Sequence, residues 1–239
     1  MMTPHKHLLP LLIAGLAAIL PSIGQALEVN LTEFRPALDF KVDGKQYHIE
    51  RIQDTSHTLT GGFSKTSRPC PPFCIHPISA SPGVQTVGEI EVFEFLRTKV
   101  STGRGILVDA RTPSWHKKGT IPGSTNIPFT TFADPNPDNP ELWAALQSLG
   151  VVKKKADSSF QDSLKKVLDF FGESDIEESD VFDFSNAKSL LLFCNGPWCD
   201  QSPRAIRGLR KIGYPADKLF YYRGGMQDWL IMGLSTVVP

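Results

Sequence analysis

Ser189-Leu190-Leu191-Leu192-Phe193-Cys194-Asn195-Gly196-Pro197-Trp198-Cys199-Asp200-Gln201-Ser202-Pro203 runs from an uninterrupted apolar segment, through a loop with two cysteines, into a helical pattern. Four consecutive large apolar residues before Cys194 predict a strand buried on both faces. Ser202 is the residue type that caps a helix, Pro203 the type that begins one, and Gly213 the type that stops one. Cys194 therefore falls on the bend between a buried strand and a helix N-terminus. Orphan backbone N–H groups and the helix dipole stabilise an anionic sulfur at such a bend, so the stretch predicts thiolate chemistry.

Working outward, the helix after Pro203 carries a buried stripe of Ala205, Ile206, Leu209 and Ile212, with Arg204, Arg207 and Arg210 on its wetter side. Residues 219–222 read as a strand, Gly224-Gly225 as a turn and residues 226–232 as a final helix. Upstream, Thr86-Val87-Gly88-Glu89 reads as a capping box opening a helix that buries Ile90, Val92, Phe93 and Leu96. Ile106-Leu107-Val108 is a buried strand ending in Asp109-Ala110-Arg111, and residues 121–128 are a turn feeding a short extended segment. Alternating strands and helices predict an α/β domain over residues 85–239, a central parallel sheet with helices on both faces. Ligands of such sheets bind at the carboxyl ends of the strands, where Cys194 lies. Residues 133–186 are a helical insertion: Asn139-Pro140 starts a helix that Gly150 ends, residues 160–171 make a second, and an acidic tract follows at 173–183. That tract and the run Lys153-Lys154-Lys155 read as solvated faces, or as a lid selecting substrates.

Residues 1–26 read as a secretory signal peptide: His5 and Lys6 precede an apolar run at 8–20, and Ser22-Ile23-Gly24-Gln25-Ala26 suits cleavage after Ala26. The run falls short of the roughly 18 consecutive apolar residues of a membrane span. The expectation is a periplasmic or secreted protein with no membrane association after cleavage. Residues 27–84 read as a small β-rich appendage. Asp43-Gly44 is a hairpin signal that places Leu38, Phe40 and Val42 on one face with Tyr47 and Ile49. The prolines of Pro69-Cys70-Pro71-Pro72-Phe73-Cys74-Ile75-His76-Pro77 exclude a helix or central strand and leave a stiff, extended loop, with His76 a loop residue rather than a ligand.

Lys plus Arg and Asp plus Glu both number 25, and this balance argues against nucleic acid or an anionic membrane as partner. It favours small-molecule or thiol chemistry, and no cofactor is implied. The four cysteines fall in two pairs, Cys70/Cys74 and Cys194/Cys199. An exported chain meets an oxidising compartment, where Cys70 and Cys74 can bridge each other or a loop cysteine. The C-x3-C and C-x4-C spacings are not the usual C-x2-C of zinc sites, so no metal is predicted.

The ordered series Leu107-Val108-Asp109-Ala110-Arg111, Gly119-Thr120-Ile121-Pro122-Gly123-Ser124-Thr125-Asn126-Ile127-Pro128, Leu191-Leu192-Phe193-Cys194 and Tyr222-Arg223-Gly224-Gly225-Met226-Gln227-Asp228-Trp229 resembles the rhodanese family of sulfurtransferases. The resemblance covers residues 85–239. It implies a rhodanese-like sheet whose loop cysteine, matched here by Cys194, takes a sulfane sulfur from a small donor such as thiosulfate. The resulting persulfide passes its sulfur to cyanide or to a thiol, which can be a protein thiol. The family's loop is shorter and carries a basic residue; here the first is Arg204, already on the helix. The related phosphatases and arsenate reductases keep an arginine six positions after the cysteine, where this chain has Asp200, whose charge would repel an oxyanion.

The candidate site is then Cys194 as nucleophile, with Asn195, Gly196, Pro197, Trp198, Asp200, Gln201 and Ser202 as the substrate loop. Cys199 is either a resolving thiol that attacks a persulfide on Cys194 or part of a structural disulfide. Asp200 should push thiol pKa values up, against the helix dipole. Trp198 either packs over the loop and restricts access or meets a protein acceptor. Asp109 and Arg111 read as a buried pair holding loops together, with Arg204 in support. Two functions fit: a sulfurtransferase working through a Cys194 persulfide, or a redox or protein-binding module that uses Cys194 and Cys199 without sulfur transfer.

Overall fold

The structure, a computed structural model, describes residues 28–154 and 181–239. The expected signal peptide, Lys155, the expected second insertion helix and the acidic tract up to residue 180 lie outside the described residues. Among the described residues no helix is long and apolar enough to cross a membrane.

The first strands of the described residues form a hairpin, β1 (Leu38–Val42) and β2 (Lys45–Ile49). Asp43 and Gly44 both take positive φ at its turn, and the register sets Leu38 against Ile49 and Phe40 against Tyr47 as the Asp-Gly signal requires. A loop leads to β3 (Gln85–Val87) and α1 (Glu89–Phe95), which a π turn, Leu96–Val100, continues. Then come β4 (Gly105–Asp109), α2 (Pro113–His116), β5 (Thr125–Asn126), α3 (Thr130–Ala133) and α4 (Pro140–Ser148). A ribbon of β6 (Val152–Lys153) and β7 (Phe182–Asp183) closes the insertion, and β8 (Ser189–Phe193), α5 (Gln201–Lys211), β9 (Leu219–Tyr222) and α6 (Gly225–Ile231) complete the chain.

Five strands form a parallel sheet in the order β3-β9-β8-β4-β5. Strand β8 lies at its centre, so its side chains divide between two cores. Leu190 and Leu192 pack with Phe132, Leu142, Leu146, Ile206 and Leu209 from α3, α4 and α5. Leu191 and Phe193 pack on the other face with Val92, Phe93 and Trp229 from α1 and α6. The hairpin belongs to this second core: Leu38, Phe40 and Ile49 are buried in it. Glu50 also exchanges hydrogen bonds of 3.0 Å with Ser235, and the Ile52 amide donates to the Gly233 carbonyl at 2.7 Å. The N-terminal segment is thus built into the same body as the sheet.

Three local expectations are corrected. Thr86 and Val87 pair with Tyr221 and Tyr222 as strand residues, so α1 opens at Glu89, with the Gly88 amide donating to the Glu91 carboxylate at 2.9 Å. Ile90 is 49% exposed, because the helix phase set from Gly88 turns it outward while Val92, Phe93 and Leu96 face the core. Helix α5 begins at Gln201 with Asp200 at its N-cap, and Ser202 lies inside the first turn, where its hydroxyl bonds a sulfur instead of capping. Helix α4 starts at Pro140, capped by the Asn139 side chain, and ends before Gly150 at φ +82°.

Since Ile49 is fully buried in a core shared by hairpin and sheet, Ile49→Ala should lower the stability of the whole described body by about 2–5 kcal/mol. Urea denaturation followed by tryptophan fluorescence and by circular dichroism should show one coincident, shifted transition. Separate transitions would refute the shared core.

Candidate active site

Parallel pairing brings the carboxyl ends of β4, β8 and β9 to one edge of the sheet, and the loop after β8 stands there. Its backbone is held by the start of α6: the Met226 amide donates to the Cys194 carbonyl and the Gln227 amide to the Asn195 carbonyl, both at 3.0 Å. Gly225, at φ +55°, makes this approach possible, because a Cβ there would lie 2.3 Å from the Cys194 oxygen. The Cys199 amide closes the loop on the Gly196 carbonyl at 2.9 Å.

Cys194 is a free thiol with 1% exposure. As a thiol it donates to the Cys199 carbonyl at 3.2 Å, while Ser202 Oγ donates to its sulfur at 3.1 Å. Burial pushes the thiol up, yet hydrogen bonds from the Cys199 thiol, the Ser202 hydroxyl and the Ser202 and Gly196 amides bring it down to about 7. The same hydrogen bond, with burial, raises Cys199, which keeps its proton and donates it. Asp200, expected to raise the sulfur, is not among the groups that chiefly shift it and stands at the N-cap of α5. The pair is asymmetric: Cys194 is the thiolate and Cys199 the acid beside it.

The other expected residues divide. Asp109 and Arg111 are both buried and form a bidentate pair, Nε to Oδ1 at 2.8 Å and Nη2 to Oδ2 at 2.6 Å. Burial pushes the Asp109 carboxyl up, but Arg111, His116 and Thr120 together hold it below its usual range. His116 Nδ1 at 3.0 Å and Thr120 Oγ1 at 2.8 Å complete this cluster, which pins the segment after β4 to the turn before β5. It is a brace for loops. Arg204 lies outside the site: it is exposed and stacks on Phe129, with its guanidinium 4.7 Å from the ring centre. Asn195 is buried in the loop, and its Oδ1 has no hydrogen-bond partner among the described residues. Gln201 Oε1 lies 3.7 Å from the Cys199 sulfur, where it can accept the thiol proton when that proton is turned away from Cys194.

Residues 62–77 lie over this loop as a strap, which local sequence patterns do not reveal. Cys70 and Cys74 are joined to each other by a disulfide within it. The His76 amide donates to the Pro197 carbonyl at 3.0 Å, and Gln227 Nε2 to the Phe63 carbonyl at 3.2 Å. Trp198 is the seat: Arg68 stacks 3.8 Å from its ring centre, Phe73 meets it edge-on at 5.5 Å, and its indole N–H donates to Gln227 Oε1. Trp198 therefore walls the sulfur off rather than standing free for an acceptor. Proline and aromatic residues at 63, 69 and 71–73 were the available signal, but nothing local names their partner. Among the described residues no cluster of three or more His, Cys, Asp or Glu side chains could hold a metal ion.

Replacing Ser202 with Ala removes one donor to the sulfur. The thiolate absorbance of Cys194, followed by pH titration in a Cys199-containing chain, should have its midpoint near 7 in the wild type. In Ser202→Ala the midpoint should rise by about one pH unit, the size expected for a lost hydrogen bond to a charged group. An unmoved midpoint would remove Ser202 from the site.

The rhodanese-like domain family model matches residues 93–232. No curated protein matches the chain. Among solved structures, the chain is similar to a human single-domain sulfurtransferase, with 22% identity and a TM-score of 0.34 over 62% of this chain and 96% of the other. A Saccharomyces cerevisiae single-domain sulfurtransferase is 19% identical, with a TM-score of 0.35 over 63% and 91% of the two chains. A Rhodopseudomonas palustris protein of unknown function, described as a possible tyrosine phosphatase, is 17% identical, with a TM-score of 0.36 over 63% and 83%.

Proposed function

The chain belongs to the rhodanese-like domain family, and on that premise we propose that it is a sulfurtransferase carrying sulfane sulfur on Cys194. The observation that supports this most directly is the sulfur itself. Cys194 sits at the carboxyl end of β8 with its thiol lowered to about 7, though no basic side chain lies in its loop. The Ser202 and Gly196 amides and the Ser202 hydroxyl that favour a thiolate equally favour the anionic outer sulfur of a persulfide.

The chemistry is two displacements. The Cys194 thiolate attacks the outer sulfur of a donor such as thiosulfate, sulfite leaves, and Cys194 becomes a persulfide. An acceptor nucleophile, a thiol or cyanide, then takes that sulfur and Cys194 leaves as a thiolate. A cavity of about 290 Å³ at the start of the strap, lined by Phe63, Trp115, Lys118 and Met226, offers the Lys118 ammonium to an anionic donor, while the Arg111 guanidinium in its wall stays committed to Asp109. When no acceptor arrives, Cys199 gives its proton to the outer sulfur of the persulfide and attacks the inner one, that outer sulfur leaves as hydrogen sulfide, and a Cys194–Cys199 disulfide remains. The closeness of the two cysteines, with the Cys194 sulfur 3.2 Å from the Cys199 carbonyl oxygen, supports this second use of the pair. We place the protein in the periplasm or outside the cell, on the grounds of residues 1–26 and of a disulfide at Cys70–Cys74.

Incubation of the reduced protein with thiosulfate should add one sulfur atom to its intact mass, and cyanide should release it as thiocyanate. Cys194→Ser should abolish both. Cys199→Ser should retain sulfur uptake and lengthen the persulfide lifetime by roughly tenfold or more, because the resolving thiol is gone. No uptake by the reduced wild type from thiosulfate, a polysulfide or an organic persulfide would overturn the reading.

A further inference from the structure

A disulfide formed between Cys194 and Cys199 would be closed in. Exposure of the two residues is 1% and 6%, with Trp198 and the strap above them. A protein dithiol must bring its sulfur into line with the bond it breaks, and no folded partner can do so through this cover. The strap itself carries the Cys70–Cys74 disulfide. Cys70 is exposed, Cys74 is half-buried, and both line a surface cavity of about 650 Å³ together with Pro197 and Trp198 of the cysteine loop. Phe73, beside Cys74, packs on Trp198, beside Cys199.

We propose that Cys70 and Cys74 are a second redox couple, which carries reducing equivalents from an external protein dithiol to a Cys194–Cys199 disulfide. It rests on the resolution step above for the origin of that disulfide. The external dithiol attacks the Cys70–Cys74 bond, leaves as its own disulfide, and delivers two electrons and two protons as the Cys70 and Cys74 thiols. One of these, as a thiolate, attacks Cys199 Sγ; the Cys194–Cys199 bond breaks and Cys194 leaves as a thiolate. The second then attacks the first, the Cys70–Cys74 bond re-forms, and Cys199 leaves and is protonated. Two thiols are consumed and two are made, so the exchange balances without any further reagent.

The direction of attack follows from the hydrogen bonds. Donors converge on Cys194, which makes it the better leaving group and leaves Cys199 as the sulfur to be attacked. The strap can make the journey. Most residues from 61 to 79 are exposed, and the strap is held to the loop by a few hydrogen bonds and the Trp198 stack, features of a segment that opens at low cost.

The full chain, oxidised with diamide, should be reduced either by thioredoxin with its reductase and NADPH or by a water-soluble phosphine. Cys194 and Cys199 are then scored by differential alkylation and peptide mass mapping. In the Cys70→Ser/Cys74→Ser double variant, thioredoxin should reduce the inner pair slower than in wild type by about tenfold or more, while the phosphine should act equally on both. Of the single variants Cys70→Ser and Cys74→Ser, at least one should accumulate a disulfide between its remaining strap cysteine and Cys199. Equal or faster reduction of the double variant by thioredoxin would overturn the proposal, as would absence of the mixed disulfide in both single variants. Failure of diamide to form an inner disulfide would overturn it too. Sulfur uptake from thiosulfate is recorded in parallel: a working relay without uptake would support the second couple and count against sulfur transfer alone.

Discussion

A thiolate withdrawn from water must be surrounded by donors, and the organisation around Cys194 follows from that requirement. Desolvation alone would keep the sulfur protonated. The loop answers with amides of Gly196 and Ser202, the Ser202 hydroxyl and the Cys199 thiol. Each donor depends on a larger element: Ser202 on the start of α5, Gly196 on the loop closure at Cys199, and the loop itself on the α6 amides that hold its carbonyls. The sheet sets the starting point, since β8 is paired on both sides and buried on both faces. Its end can therefore shift little without disturbing two cores.

The strand, loop and helix around Cys194 were legible because each carries a local signal. Four large apolar residues, a Ser-Pro helix start and a stopping glycine follow one another over a short span. The hairpin was legible for a similar reason, with Asp43-Gly44 fixing register and thereby face. Sequence and structure part where one residue has two employments. Thr86 fits a cap, but its backbone is committed to β9 some 130 residues away, so the helix starts at the next site with an acid three residues on. Ser202 likewise fits a cap and was taken by a sulfur.

What could not be read was contact between segments far apart. No local pattern connects Phe73 to Trp198, or Arg204 to Phe129. Arg204 has the polar, outward position of any helix-face cation, and the ring it covers arrives from the loop after β5. The Asp109 cluster was half visible: Arg111 lies two residues away, whereas His116 and Thr120 reach it only after α2 has turned the chain back.

The backbone ties between Glu50 and Ser235 span 185 positions of sequence. A body closed by contacts this distant gains little from its N-terminal half until the last residues join, and such topologies fold slowly. During synthesis, then, the hairpin and strap have no seat: Trp198, the α6 amides and Ser235 are all made late. Cys194 is left in open solvent for that interval, with an ordinary thiol's reactivity, and acquires both its acidity and its shelter in the final closure.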